Sequence, residues 1–242
     1  MHGRNRASHL ARLSNPSFAA ALERKVESYA KLASAAKGRR LEFLRAGELD
    51  EELDPEEARS ALDPEEARST LELTATVLSI NQDYYTMWSF RRDLLLALDR
   101  QHLAAGREAF PAASLAAELK LTAAALQKNP KSYPAFHHRK LAVDRALSLR
   151  PPPDPAAEAL LQAEMGLTEA LLAQDARNFH CVSYRRFLLA QALELPPELG
   201  APQVRGQRRA GEVGGEERRR LLEGEMKFTG GLIEANFSNG SA

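Results

Sequence analysis

The apolar and polar positions of this 242-residue chain repeat over a distance far longer than one helical turn. Aligned on Asn81, Asn129 and Asp175, the preceding segments read L-T-x-x-x-L-x-x-[ND] three times. The matching residues are Leu73-Thr74 and Leu78, Leu121-Thr122 and Leu126, and Leu167-Thr168 and Leu172. Leu71, Leu119 and Met165 stand two residues before each Leu-Thr pair, and Met226, Phe228-Thr229, Ile233 and Asn236 outline a fourth copy. The first two intervals between anchors are nearly equal; the third, from Asp175 to Asn236, is longer and so carries an insertion. After each anchor an aromatic stands at four (Tyr85, Tyr133, Phe179) and a bulky apolar residue at seven (Trp88, Phe136, Val182). Arginine follows at ten (Arg91, Arg139, Arg185) and an aliphatic residue at fourteen (Leu95, Val143, Leu189). Positions four, seven and fourteen share one side of a 3.6-residue helix, which predicts a second amphipathic helix in each copy.

Each repeat is therefore expected to be helix, short turn, helix. One such pair cannot bury its apolar face alone, whereas stacked pairs can. The period is too long for a tetratricopeptide unit and lies near the upper end of HEAT and armadillo lengths. The expectation is an all-α protein, a right-handed α-solenoid or crescent. Asp54-Pro55 and Asp154-Pro155 read as helix starts, with a capping carboxylate followed by proline in the first turn. The chain divides into an N-terminal extension or helix (1–40), three repeats (41–195), a Pro/Gly/Arg-rich linker (196–220) and an incomplete fourth repeat (221–242). LDPEEARS occurs at 53–60 and again at 62–69, a nine-residue duplication that reads as an insertion lengthening a polar helix start.

Composition removes several functional classes. Lys+Arg and Asp+Glu both number 33, so there is no basic excess for nucleic acid. Cys181 is the single cysteine, which excludes an internal disulfide and a cysteine zinc cage. It reads as a small buried hydrophobe within the packing pattern. Neighbouring His137 and His138 would diverge by about 100° on a helix, a poor arrangement for one metal. No apolar run approaches the roughly 20 residues that span a bilayer. Arg4, Arg6 and Arg12 precede the first acid, Glu23, but the stretch is short for a transit peptide, and a cytoplasmic protein without stable membrane insertion is expected.

Anchor, aromatic, tryptophan and arginine at this period resemble the repeat of protein prenyltransferase α subunits. Arg45 to Glu51 (RAGELDE), Asn129 to Tyr133 (NPKSY), Phe136 to Arg139 (FHHR), Arg177 to Cys181 (RNFHC) and the opening MHGR are most similar to the Rab geranylgeranyltransferase branch. The resemblance implies a helix-pair crescent wrapped around a β subunit that bears the catalytic zinc, with no cofactor bound by this chain. The paired basic positions Arg91-Arg92, Arg139-Lys140 and Arg185-Arg186 fit contacts to acidic groups on a β subunit, solvated caps, or inter-repeat ion pairs worth little at the surface. It implies help in moving geranylgeranyl from geranylgeranyl diphosphate to C-terminal cysteines of Rab GTPases presented by a Rab escort protein. The alternatives are the α subunit of farnesyltransferase and type I geranylgeranyltransferase, acting on CaaX proteins, and a non-catalytic scaffold. By the same resemblance Lys131 contacts the diphosphate, Tyr133 lines the substrate channel, His180 reaches the diphosphate, and Asn178 supplies a neighbouring polar contact to substrate. Phe179 is expected in the core. Two departures stand out: tryptophan gives way to Phe136 and then Val182, and family members continue where this chain stops, so a C-terminal truncation is expected. The valine forfeits packing on the order of a few kcal/mol unless compensated.

Overall fold

A computed structural model describes residues 15–46, 63–107, 112–149, 154–193 and 215–238. Eight helices and no strand occur among them: α1 (Pro16–Ala46), α2 (Pro64–Ile80), α3 (Tyr85–Ala104), α4 (Ala112–Lys128), α5 (Tyr133–Ser148), α6 (Pro155–Gln174), α7 (Phe179–Ala192) and α8 (Gly215–Ser238). The all-α repeat is thus present as three helix pairs, α2–α3, α4–α5 and α6–α7, followed by α8. The chain forms two compact units, Met1–Glu108 with α1 to α3 and Ala109–Ala242 with α4 to α8.

Local chemistry sets the helix ends. Asp63 caps α2 by accepting from the Glu65 and Glu66 amides, Pro64 opens the first turn, and those two glutamates favour the helix N-terminus. The second copy of the duplicated octapeptide therefore supplies this start. Asp54-Pro55 and the first copy lie outside the described residues. Asp154 caps α6 by accepting from Ala156 N at 2.8 Å, as its sequence predicts. Gly106, at φ 65°, ends α3: Arg107 N–H donates to His102 O and Gly106 N–H to Leu103 O, a Schellman closure that favours glycine. α8 begins at Gly215, inside the stretch read as a linker to 220. Most of that stretch lies outside the described residues.

The anchor residues make each turn between paired helices. Asn81, Asn129 and Asp175 each accept from the amide two residues on, at 3.2, 3.1 and 3.0 Å. A side chain that imitates a backbone turn explains why Asn or Asp stands there. In the first unit Asn81 also donates to Tyr29 Oη on α1, at 3.1 Å. Phe43 of α1 meets Phe90 edge to face at 5.6 Å, within a core completed by Leu94 and Ala97 and flanked by Leu71.

One polar device recurs inside every repeat. Thr74, Thr122 and Thr168 are fully buried on the first helix, each donating its hydroxyl to a carbonyl one turn back. At a constant sequence separation of 17 the arginine of the second helix reaches across to that threonine. Arg91 donates to Thr74 Oγ1 at 3.0 Å and to Leu71 O; Arg139 to Thr122 Oγ1 at 2.8 Å and Leu119 O at 2.7 Å. Arg185 donates to Thr168 Oγ1 at 2.7 Å and Met165 O at 3.2 Å. The first arginine of each basic pair is thus a buried clamp between paired helices and no solvated cap; the expected inter-repeat ion pairs do form at Arg139 and Arg185, but buried and not at the surface. Burial demands full pairing of the guanidinium. Arg139 completes it with Glu164 of the next pair through two 2.6 Å bonds, and Tyr184 Oη donates to the same carboxylate at 2.7 Å. Burial beside that carboxylate holds the Tyr184 hydroxyl pKa well above its usual value, so it remains a donor. Arg185 meets Glu225 of α8 at 2.8 Å and lies over the Phe228 ring at 4.0 Å.

Replacing Arg139 with methionine should destabilise the chain by about 3–5 kcal/mol, because Glu164 then stays buried without its cation. Thr122→Val should cost about 1–2 kcal/mol. Urea unfolding measures both, and the double variant should lose less than the two single losses together because the residues share one bond.

Candidate functional site

Two turns of the second unit carry the residues singled out by sequence. Asn129 to Ser132 joins α4 to α5 and presents Lys131, with Tyr133 as the first residue of α5. Asp175 to Asn178 joins α6 to α7 and presents His180 in the first turn of α7. Asn178 ties the two turns together. It is fully buried; its Oδ1 accepts from Cys181 N at 3.2 Å, capping α7, and its Nδ2 donates to Pro130 O at 2.5 Å. Both ends of its side chain are therefore spent inside the protein. Its place is behind the surface, fixing the distance between the turns, rather than facing outward as the resemblance implied.

In front of Asn178 the other residues gather on an open face. Tyr133, half exposed, stacks on His137 with ring centres 5.9 Å apart and meets His180 edge to face at 5.6 Å. Phe179 borders His180 at 6.0 Å. It is 75% exposed, so its expected place in the core is wrong. The cause is positional: the aromatic at four is the first residue of its helix and lies off the buried seam, which also leaves Tyr85 58% exposed. The buried seam runs instead through position seven, with Trp88 and Phe136 at 3% and 4% exposure. Val182, at 39%, leaves that seam, while Tyr184 packs on Phe136 at 5.8 Å.

Lys131 Nζ lies 2.7 Å from Asp175 Oδ2, with both side chains partly exposed. The Lys131 hydrogen bond, helped by the Arg177 amide, holds the Asp175 carboxyl below its ordinary range. Sequence reasoning treated Asp175 only as a repeat anchor, although an acid where Asn81 and Asn129 stand was a visible signal. His137 carries no such signal in the sequence beyond its place beside His138. His138, its neighbour, is buried and bonded to Glu118 at 2.8 Å. The face so built offers one ammonium, two imidazoles and a phenol around aromatic surfaces, a set of donors suited to an anion with an apolar tail. Cys181 lies beneath it, fully buried, and burial pushes its thiol pKa up to about 11, so it is no nucleophile here. Among the described residues no three His, Cys, Asp or Glu come together to hold a metal ion, and no helix is long and apolar enough to cross a membrane.

Residues 68–98, 115–146 and 161–192 each match the protein prenyltransferase alpha subunit repeat. The chain carries protein prenyltransferase α subunit repeats. The three matches coincide with the three helix pairs, each enclosing its threonine–arginine clamp. The chain is similar to geranylgeranyl transferase type-2 subunit alpha of Rattus norvegicus, 41% identical over 70 residues. That match spans 28% of this chain and 12% of that protein. The Homo sapiens protein of the same name is 42% identical over 69 residues, with the same shares. The Bos taurus protein is 34% identical over 114 residues, 47% of this chain and 16% of that protein. The matched part of this chain thus spans less than a fifth of these relatives' own length. Within the prenyltransferase α repeats the site lies on the turns of the second and third pairs.

Asn178→Ala should cost about 1–2 kcal/mol as a lost cap and remove the close Tyr133–His180 ring contact. Thermal unfolding and ring-proton Overhauser effects measure the two consequences. A depressed Asp175 pKa means that the Lys131 pair contributes in full above the ordinary carboxylate range. That contribution fades as the pH falls through the lower folded value. Carbon-detected NMR titration should show this low midpoint in the unaltered chain and a higher one in Lys131→Ala.

Proposed function

We propose that this chain is the α subunit of a geranylgeranyltransferase of the type-2, Rab-directed kind, working as a heterodimer with a zinc-bearing β subunit and inactive alone. The observation that carries the reading is that Asn178 ties together two turns bearing the Lys131–Asp175 pair and the Tyr133, His137 and His180 ring cluster. Geranylgeranyl diphosphate presents a polyanionic head on a long apolar tail, and this face pairs cationic and hydrogen-bonding groups with exposed aromatic surface. When the cysteine sulfur of a Rab protein bonds to the first isoprenoid carbon, the carbon–oxygen bond breaks and its electron pair leaves on the diphosphate. Lys131 and the imidazole of His180 would hold that leaving group as its charge grows, and a preorganised cation lowers such a barrier. Tyr133 would line the entrance for the tail and keep the His180 ring in place.

Zinc, the cysteine acceptor and the escort protein all belong to partner chains in this reading, and a cytoplasmic setting goes with it. The type-2 name shared by the relatives supports the Rab branch over one acting on CaaX proteins. Coexpression with a type-2 β subunit tests the proposal. A copurifying pair that prenylates a Rab–escort complex, and not a CaaX peptide, is the expected result. Failure to copurify or to transfer would refute it. Lys131→Ala should leave the pair assembled and lower kcat by about tenfold to a hundredfold, on the order of 1.4–2.7 kcal/mol of lost transition-state stabilisation.

A further inference from the structure

We infer that α8 is a docking helix. Its Leu222–Met226–Thr229 face accepts an amphipathic helix of a partner protein, one that presents an arginine with an apolar residue three before it and another four after it.

Position by position, α8 repeats the first helix of each pair. Thr229 stands seven before the anchor Asn236, as Thr74, Thr122 and Thr168 stand before theirs. Its hydroxyl lies 2.8 Å from Glu225 O and 3.2 Å from Met226 O. Thr122 uses the same two carbonyls, four and three residues back, at 2.7 and 3.2 Å. In the complete pairs this arrangement receives a guanidinium. Arg91, Arg139 and Arg185 each bond the threonine oxygen and the carbonyl three residues before it. The equivalent acceptors on α8 are Thr229 Oγ1 and Met226 O, and among the described residues no arginine meets them.

Burial separates two faces of α8. On one, Glu225 pairs with Arg185 at 2.8 Å and Phe228 lies beneath that guanidinium. On the adjoining face Leu222, Met226 and Thr229 follow at helical spacing and form one stripe. Leu222 is 46% exposed, Met226 74%, and Thr229 is exposed as well. Their counterparts in the complete pairs are covered. The three threonines are fully buried, Ala67 and Leu115 are buried where Leu222 stands, and Leu71, Leu119 and Met165 are half-buried where Met226 stands. The difference is confined to the side that a second helix covers in the other pairs.

The acceptors select the occupant. A hydroxyl oxygen and a carbonyl call for a side chain that only donates, and the planar fork of arginine can meet both at once. The new contact would also continue an existing one, since Arg185 and Glu225 already fix α8 beside α7. A second copy of this chain is a poor occupant because its own Arg91, Arg139 and Arg185 are buried in their clamps. The apolar neighbours of the arginine follow from the complete pairs, where Phe136 and Val143 flank Arg139 at those spacings.

A synthetic peptide of residues 132–149, which carries Phe136, Arg139 and Val143, serves as the probe. Titrated into the full chain, it should shift the Met226 methyl signal saturably in NMR. A peptide with Arg139→Met should bind about tenfold more weakly, as expected for lost charge-assisted hydrogen bonds. Thr229→Val in the chain should weaken the parent peptide roughly threefold to tenfold and leave the methionine peptide unchanged. Met226→Asp should abolish binding of both. Thr229 and Met226 are exposed, so each variant should keep the helical circular dichroism of the unaltered chain. No saturable shift at Met226 up to about 1 mM peptide overturns the proposal. Equal binding of the two peptides also overturns it, leaving only apolar adhesion. Sedimentation that finds a dimer of the unaltered chain and a monomer of Met226→Asp would assign the face to a second copy instead. None of these outcomes bears on Lys131 or His180.

Discussion

A buried guanidinium reaching from one helix of a pair to the other is the interaction on which this fold depends. A pair of amphipathic helices can slide or rotate against each other at small cost when only apolar side chains meet. The threonine–arginine clamp removes that freedom, because its hydrogen-bond partners sit at fixed points on the facing helix. Thr122 Oγ1 and Leu119 O lie 3.2 Å apart on the facing helix, and Arg139 must find both. The threonine hydroxyl is oriented in advance by its own bond to a carbonyl one turn back, so it offers the arginine a lone pair. Out of register, the pair would leave a charged group buried and unmatched, which is among the costliest errors a protein interior can contain.

The same arginine also sets the next pair in place within the second unit. Arg139 spends its remaining donors on Glu164 and Arg185 spends its own on Glu225. Glu118, Glu164 and Glu225 all stand at the same offset before their anchors, Asn129, Asp175 and Asn236. Position nine after the anchor adapts to that acid: His138 bonds Glu118, and Tyr184 bonds Glu164. In the first repeat the equivalent positions are Thr70 and Phe90, and there Phe90 packs on Phe43 of α1. An apolar contact with a leading helix thus replaces the ionic one, and both members of the pair change together. Arg185 and Glu225 lie further apart along the chain than Arg139 and Glu164, by the length inserted before the last anchor. The insertion is accommodated without losing the contact.

Much of this was legible in the sequence because it repeats. The helix pairs, the anchor turns, the Asp154 cap and the burial of position seven in two copies followed from spacing alone. The arginine was noticed and its burial was not, because a charged side chain reads as exposed until its partners are known. The constant spacing from threonine to arginine was present in all three copies, but pairing across two helices has no helical period to advertise it. Phe179 misled for the opposite reason. An aromatic at helical spacing suggests core, yet at the first position of a helix it can project beyond the packed seam. The lysine, tyrosine and histidine of the site were reached through family resemblance, whereas His137 and the acid of Asp175 emerged only when the two turns were seen side by side.

A repeat protein must build one distinctive site from near-identical units, and these repeats do so by dividing their positions. Threonine seven before the anchor and arginine ten after it do not vary among the complete copies, and they hold the helices. The positions just after the anchor lie at the turn and are released from that duty. At two they read Asp83, Lys131 and Arg177; at three Tyr84, Ser132 and Asn178; at five Thr86, Pro134 and His180. The backbone bond at position two survives every one of these changes because it uses the amide and not the side chain. Chemistry can therefore be written onto the turns without disturbing the fold. Asn178 stands where the two requirements meet, since it caps its own helix and binds the neighbouring turn with one side chain. Without that link Lys131 and His180 would belong to separate repeats. With it, two ordinary turns become one surface with a single arrangement of charge.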